Sequence, residues 1–342
     1  MKHCGVSRHA WNWGLWLTKN ILEHNYTNLS DQLKLTSTID LHKLLVALVK
    51  PNCPWYYEWS LSPPQESLRA LRTAWDRCFK KNRGGPRFKK KGHRDSFTLE
   101  GAVKVQGKNK IPVPLMGILK TYERLPQVLT KPATISRTAN RWFISFRLDV
   151  ERQISVSDSI VGVDLGIKAL ATLSTGEVVL GANSYTKSAA QLSRMQRLNC
   201  HKLKDCNNWK KSPIQIARLH KKIANIRKDT LHKLTTLLAK NHGTVVIEDL
   251  NVSGMLANHK LAKSIASLSF FQWRCQLTYK CELYGSKLVV ADRWFPSSFP
   301  GSNCGTKKET LTLSERVFDG GHCGFTIASD LNAAINLSKT VS

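Results

Sequence analysis

The chain reads as an α/β protein in which an α/β domain follows a module of helices and short strands. Three observations predict this. From residue 160 onward, short apolar runs alternate with segments of helical period, the pattern of strands separated by helices. Between residues 96 and 147, apolar and polar positions alternate with period two between Gly and Pro, which reads as a small, mostly antiparallel β module with a barrel as its candidate form. The length of 342 residues, at roughly 150 per domain, gives about two domains and room for a third small module.

Taken in order, residues 11–23 read as a helix, with Trp13, Trp16 and Leu17 on one stripe. A tryptophan stripe at that spacing reads as core. Helices are expected at residues 40–49 and 64–81, the second with Leu68, Leu71 and Trp75 on one face and Pro63 and Pro64 at its start, where a missing amide donor costs nothing. Strands are expected at 97–99, 103–105, 133–136 and 142–148. The polar stretch 151–159 separates the two parts, and we expect one module over residues 1–155 and the α/β domain over 156–342. In that domain, strands are expected at 160–163, 169–173, 178–180, 244–247 and 287–290. Helices are expected at 270–284 and 330–337, and a very basic helical hairpin over 189–242, broken near 207–213 by the Pro213 region.

Fifty-two Lys and Arg against 24 Asp and Glu leave a net charge of +28. Such an excess repels itself unless a polyanion neutralises it, and it points to nucleic acid. The sequence has no membrane-length apolar run, signal-peptide core, basic amphipathic helix or lipidation motif, so a membrane partner is not expected and the predicted location is cytoplasmic, with the nucleoid. The nine cysteines are odd in number and scattered, which argues against a disulfide framework. The densest charge lies in residues 77–94, which carry nine basic residues and no acid, with Gly84, Gly85, Pro86, Gly92 and an interrupting Phe88. Backbone that approaches phosphates closely, beside a ring free to stack, is the composition of a nucleic-acid-binding loop. Arg83, Arg87, Phe88, Lys89, Lys90, Lys91 and Arg94 are its candidate contacts.

Three acids share one kind of position. Asp164 follows the apolar run 160–163, Glu248 follows 245–247, and Asp330 opens the last helix beside Asn332. A carboxylate at the edge of a buried strand is costly unless paired or metal-bound. Carboxylates gathered in a chain this basic suit a hard cation such as Mg²⁺, which takes carboxylate and phosphate oxygens together. The competing readings are a helix N-cap for Asp330 and a turn role for Asp164 before Gly166. Asp249, beside Glu248, is expected to leave the strand end in another direction.

VGVDLGIKALATLS (residues 161–174), VIEDLNVSGM (246–255) and SDLNAAIN (329–336) resemble, in order, the three RuvC motifs of the TnpB (OrfB) proteins carried by insertion sequences. DRWFPSS (292–298) resembles the segment that leads into that family's zinc ribbon. The resemblance spans the whole chain, weakly before Phe79 and strongly after Val161. It implies an RNase H-like (RuvC) nuclease domain, an N-terminal wedge-like β-barrel with recognition helices, and a ribbon over 297–328. It further implies Asp164, Glu248 and Asp330 as catalytic Mg²⁺ ligands, a guide RNA and a DNA target as partners, and RNA-guided DNA cleavage.

The chain departs from that family in three places. Of the ribbon's two Cys-x-x-Cys pairs only Cys304 and Cys323 survive, because Gly301 and Gly320 occupy the first position of each. Two thiols fall short of the four ligands of a structural zinc, so little or no Zn²⁺ is expected. Ala328 and Ser329 stand where Asp-Arg is usual. Family members also carry a strand before the segment that resembles residues 4–13, so a truncated or misassigned start is expected. No nucleophile elbow, Walker loop or dinucleotide fingerprint occurs, and no small-molecule substrate is expected. A Mg²⁺-dependent endonuclease is the leading reading; an idle nucleic-acid-binding regulator or decaying transposase copy is the alternative.

Overall fold

The computed structural model describes residues 1–34, 36–80, 84–100, 105–113, 115–125, 132–147, 151, 154, 157–308, 315–320 and 323–341. The chain is mixed α/β and divides into two compact units, Met1–Val150 and Glu151–Ser342.

In the first unit, α1 (Lys2–Thr27) packs along α3 (Ser62–Phe79), with α2 (Thr38–Leu44) and a π-turn (Leu45–Val49) beside them. Pro63 and Pro64 sit in the first turn of α3, as the sequence suggests. Trp11, Leu15, Leu71 and Trp75 form one buried cluster, and Val6, Ala10, Leu41, Leu45, Tyr56 and Leu68 another. The buried Trp75 indole donates to Thr18 Oγ1 at 2.9 Å, which removes the cost of an unpaired N–H. The tryptophan stripe is not uniformly core: Trp13 is half-buried and Trp16 is 54% exposed. The buried stripe of α1 runs instead through Val6, Ala10, Trp11 and Leu15, because that is the face α3 covers.

The β portion of this unit comprises β1 (Ser96–Leu99), β2 (Lys110–Val113), β3 (Gly117–Lys120), β4 (Ala133–Thr138) and β5 (Arg141–Ser145). Among the described residues these form an antiparallel sheet, β1-β4-β5, and a separate β2-β3 hairpin. Phe97, Leu99, Ile111, Val113, Ala133 and Ile135 pack into one core between them. Of the strand expected at 103–105, residues 103 and 104 lie outside the described residues.

The second unit holds β6 (Ile160–Asp164), β7 (Ala171–Leu173), β8 (Val178–Val179), α4 (Ser184–Cys200), α5 (Asn207–Asn241), β9 (Thr244–Glu248), α6 (Val252–Ala257), α7 (Ala262–Leu268), α8 (Phe270–Tyr284), β10 (Lys287–Ala291), β11 (Val317–Gly320), β12 (Phe325–Ala328) and α9 (Ser329–Ser338). The main sheet has the order β10-β9-β6-β7-β8, with β10, β9 and β6 parallel and β7 and β8 antiparallel. β6 and β9 are buried in the middle and less so at both ends, and β7 is buried throughout.

Alternation decides what each face meets. Val161, Val163, Val245 and Ile247 join the core of α5 and α8, with Leu234, Leu238, Trp273 and Leu277. Val246 turns to the other face and packs on Leu337 of α9. The basic hairpin breaks at residues 201–206, earlier than expected. Pro213 lies inside α5, in its second turn, and the helix begins instead at Cys206, whose sulfur accepts the Trp209 amide.

Candidate active site

Parallel pairing sets the first two acids side by side. β6 and β9 run in register with Val163 opposite Ile247, so the next residues, Asp164 and Glu248, close the two strands at one end of the sheet, about one strand spacing apart. Parity then fixes their face. Asp164 shares it with Gly162 and Glu248 with Val246, and that is the face α9 covers.

Gly162 allows α9 to come down onto the strand. A Cβ there would lie 2.0 Å from the Ala334 carbonyl oxygen and 2.6 Å from the Ser338 amide nitrogen. α9 therefore rests main chain on main chain, and its first turn carries Asp330. No side chain caps this helix; its N-cap position is Ala328. The capping role weighed for Asp330 is thus absent from the structure.

Asp164 feels the other two carboxylates. Asp164 is half-buried, and its carboxyl is pushed up to about 7, chiefly by burial and then by the charges of Glu248 and Asp330. The Ser297 hydroxyl donates to Glu248 Oε1, and Arg316 Nη1 lies 4.0 Å from Asp330 Oδ1. In this arrangement no three His, Cys, Asp or Glu side chains among the described residues are placed to hold one ion. The donor chemistry nonetheless fits a hard divalent cation: the groups are all oxygens, and a bound cation would offset both the burial and, after it, the neighbouring charges that lift Asp164.

Sequence reasoning missed the residues that hold this corner together. Asn332 and Asn336, buried on α9, donate their amides to the Pro300 carbonyl at 2.8 and 2.7 Å. Asn336 also reaches the Ser297 carbonyl at 2.8 Å, and the Asn332 Oδ1 accepts from the Ser302 amide at 2.7 Å. The loop that supplies Ser297 to Glu248 is thereby tied to the helix that supplies Asp330. The signal was present in the sequence as Asn at i and i+4 on an apolar helix.

Asp249, one residue on, has the opposite parity and meets α8. It accepts from Arg274 at 2.5 Å and from Arg293 at 2.6 Å, and these cations hold its carboxyl below the usual range. It leaves the strand end in another direction, but it anchors two guanidinium groups there.

The basic run is a strap laid on α1 in the first unit. The Trp11 indole donates to the Arg87 carbonyl at 3.0 Å; Asn12 donates to the Lys89 carbonyl at 3.0 Å and accepts its amide at 2.8 Å. With the backbone fixed, Arg87, Lys90, Lys91 and Arg94 are exposed, and Phe88 is half-exposed with Lys19 Nζ 5.2 Å from its ring centroid. Lys89 differs from its neighbours: its ammonium sits 3.9 Å from the Trp11 ring centroid, and burial brings its pKa down to about 8. Arg83 lies outside the described residues.

In the ribbon segment, the Cys304 and Cys323 sulfurs stand 3.3 Å apart at the end of the β11-β12 hairpin. A Cβ on Gly301 would lie 3.2 Å from the Cys304 sulfur, and one on Gly320 would lie 3.0 Å from that of Cys323. Both glycines therefore stand beside the two thiols, and two thiols supply only half the ligands of a structural zinc. His322 lies outside the described residues.

Residues 144–259 match a family profile described as a probable transposase, OrfB_IS605, and residues 270–337 match the Cas12f1-like TNB domain. InsQ of Escherichia coli (strain K12), named as a candidate RNA-guided DNA endonuclease, is 36% identical over 303 residues, covering 83% of this chain and 75% of that protein. A protein of Streptomyces pristinaespiralis with the same designation is 38% identical, covering 82% of this chain and 71% of its own. A Mycobacterium tuberculosis (strain ATCC 25618 / H37Rv) relative, again so designated, is 30% identical over 99% of this chain and 82% of its own. Among solved structures, a Cas12f1-sgRNA-target DNA complex shares the fold with a TM-score of 0.57 at 13% identity, covering 97% of this chain and 80% of that one.

Proposed function

The chain belongs to the TnpB (OrfB) family of insertion-sequence proteins, and from that premise we propose that it is a Mg²⁺-dependent, RNA-guided DNA endonuclease with an RNase H-like (RuvC) catalytic domain. The observation that carries the reading is the convergence of Asp164, Glu248 and Asp330 on one end of the five-stranded sheet, close enough that two of them raise the pKa of the third.

Magnesium bound there would activate water and stabilise the leaving oxygen of a phosphodiester. The chain's own residues prepare the place. β6 and β9 present Asp164 and Glu248 from a buried sheet; α9, seated on Gly162, presents Asp330; Ser297 orients Glu248. Asp164, Glu248 and Asp330 would hold the ions. Arg274 and Arg293, held by Asp249 next to Glu248, are placed to receive strand phosphates.

Guide pairing supplies most of the sequence choice in such enzymes, and the protein reads mainly backbone. That division of labour suits a chain of charge +28 with an exposed basic strap. The names of the relatives support a guide RNA and a DNA target as partners, and no helix among the described residues is long and apolar enough to cross a membrane.

The test is purification of the chain from cells that carry its native locus, sequencing of the co-purifying RNA, and a Mg²⁺-dependent cleavage assay on DNA matching that RNA. Cutting by the parent and none by Asp164→Ala supports the reading. The half-complete set of ribbon thiols favours a second reading, binding without cleavage, and RNA retention with no cutting by the parent would select it.

A further inference from the structure

The first unit contains a pocket of about 720 Å³ that the catalytic reading does not use. That volume lies within the usual range of ligand sites. Four tryptophans line the pocket, Trp13 and Trp16 from α1 and Trp55 and Trp59 from the segment before α3, together with the acid Glu58. Trp55 and Trp59 are held by ring contacts of their own. Trp55 stacks on Tyr56 with ring centroids 4.4 Å apart and 24° between planes, and the Tyr56 hydroxyl is held by His9 Nδ1 at 2.8 Å. Trp59 meets His3 edge-on and carries Lys2 Nζ 4.9 Å from its centroid. Trp16 is 54% exposed, which leaves its ring open to a ligand at the pocket rim.

Cations stand at the edge of this aromatic slot. Lys2 and Arg8 line it, and so does Asn12, the residue that pins the basic strap by its Lys89 backbone. The strap's exposed Lys90 and Lys91 follow in the chain directly after the residue that Asn12 pins. Aromatic faces beside a backbone-tracking basic strip are how proteins hold unpaired nucleotides. Paired DNA keeps its bases stacked inside the duplex, whereas RNA offers unpaired bases at loops, bulges and ends.

We propose that this pocket takes an unpaired nucleotide of RNA, with the base stacked between the tryptophans and the flanking phosphates on the strap. The proposal rests on the guided reading given above. Gly5 supplies a clean test, because it lines the pocket and a Cβ there would meet nothing within 4 Å. Gly5→Leu therefore starts from a Cβ that displaces no neighbour and sends its larger side chain toward the pocket that Gly5 lines, and Trp16→Ala removes an exposed wall.

Fluorescence anisotropy on the full chain would compare an unstructured oligoribonucleotide, the matching single-stranded DNA and a fully paired RNA hairpin across a salt series. Both variants should weaken the unpaired RNA roughly five- to a hundredfold. They should leave the salt slope and the hairpin affinity unchanged, since no phosphate contact is lost, and the melting temperature of Gly5→Leu should match or exceed the parent's. Unchanged affinity in Gly5→Leu, or equal losses for hairpin and unpaired RNA, overturns the proposal, and so does a loss for single-stranded DNA as large as that for RNA. A parent chain that retains no RNA overturns the guided reading and this proposal together, whereas unaffected variants of an RNA-binding parent overturn this proposal alone.

Discussion

Gly162→Ala tests how closely the candidate active-site corner depends on main-chain contact. The added methyl would lie 2.0 Å from the Ala334 carbonyl oxygen, where ordinary contact begins at 3.4 Å, so β6 and α9 must part by about 1.4 Å. Both atoms it strikes, that oxygen and the Ser338 amide nitrogen, belong to main chain, and no rotamer change relieves the clash. Overpacking by one methyl ordinarily costs about 1–3 kcal/mol. Lifting α9 also loosens Ala334 and Leu337, both fully buried, so the upper end of that range applies. For a unit of this size, about 3 kcal/mol lowers Tm on the order of 6–12 °C. The same shift carries Asp330 away from Asp164, and a displacement of about 1 Å at a reacting centre costs on the order of a hundredfold in rate. Thermal unfolding by circular dichroism gives the first quantity, and cleavage of guided target DNA below the transition gives the second. A variant that melts with the parent and cuts at the parent's rate would refute the contact and the role assigned to α9.

Single alanine variants of Asp164, Glu248 and Asp330 should each abolish cutting and keep nucleic-acid binding, and the double variants should lose no more than the singles, because ligands of one centre act as a unit; an Asp330→Ala protein that still cuts removes that residue from the site. Mg²⁺ should raise the Tm of the parent and not that of Asp164→Ala, a difference that thermal unfolding with and without the ion would measure. Changing Lys90 and Lys91 to alanine should flatten the salt dependence of DNA binding by about one unit of slope for each lost contact, and an unchanged slope would contradict the strap. Lys89 titrates near 8 when folded and near 10.4 when unfolded, so the unfolded chain holds the extra proton between those values and stability rises with pH there; the parent should gain Tm on Lys89→Met from about pH 8 to 10 and show a constant difference below. Restoring cysteine at both Gly301 and Gly320 should bring the chain to about one zinc by metal analysis, and failure to take up zinc would mean that these two positions are misplaced.

The strands β6 and β9 were legible because each is an apolar run that ends in a carboxylate, and burial of the strand interior demands that. The hairpin break was misplaced because a proline was weighted as a helix stop. Pro213 lies near the start of α5, where the loss of one hydrogen bond to the preceding turn is offset by a helix of 35 residues. The short helices α6 and α7 carry too few residues to show a period. The tryptophan stripe of α1 was misjudged for a different reason: periodicity states which residues share a face, but not which face another helix will cover. Here α3 covers the side that runs through Ala10 and Leu15, and the Trp13–Trp16 side opens onto the pocket.

The two neighbouring acids at the end of β9 show where sequence reading stops and geometry takes over. Glu248 and Asp249 are alike in charge, in distance from the strand and in the cost of burying them, so composition cannot rank them. Alternation separates them, but only once Val246 is known to face α9 and Ile247 to face α8. Glu248 then falls beside Asp164 and Asp330, where like charges accumulate, and Asp249 falls beside Arg274 and Arg293, where it is neutralised. One cluster stores repulsion that a cation would relieve; the other is already satisfied. Asp249 is accordingly a poor inert control. Its alanine variant should free two guanidinium groups beside Glu248, lower the Tm by a few degrees and alter how tightly target DNA is held, whereas Glu248→Ala should leave DNA affinity nearly unchanged and remove cutting. If the two variants instead behave identically in binding, melting and cleavage, the division of this strand end into a catalytic and a positioning side is wrong.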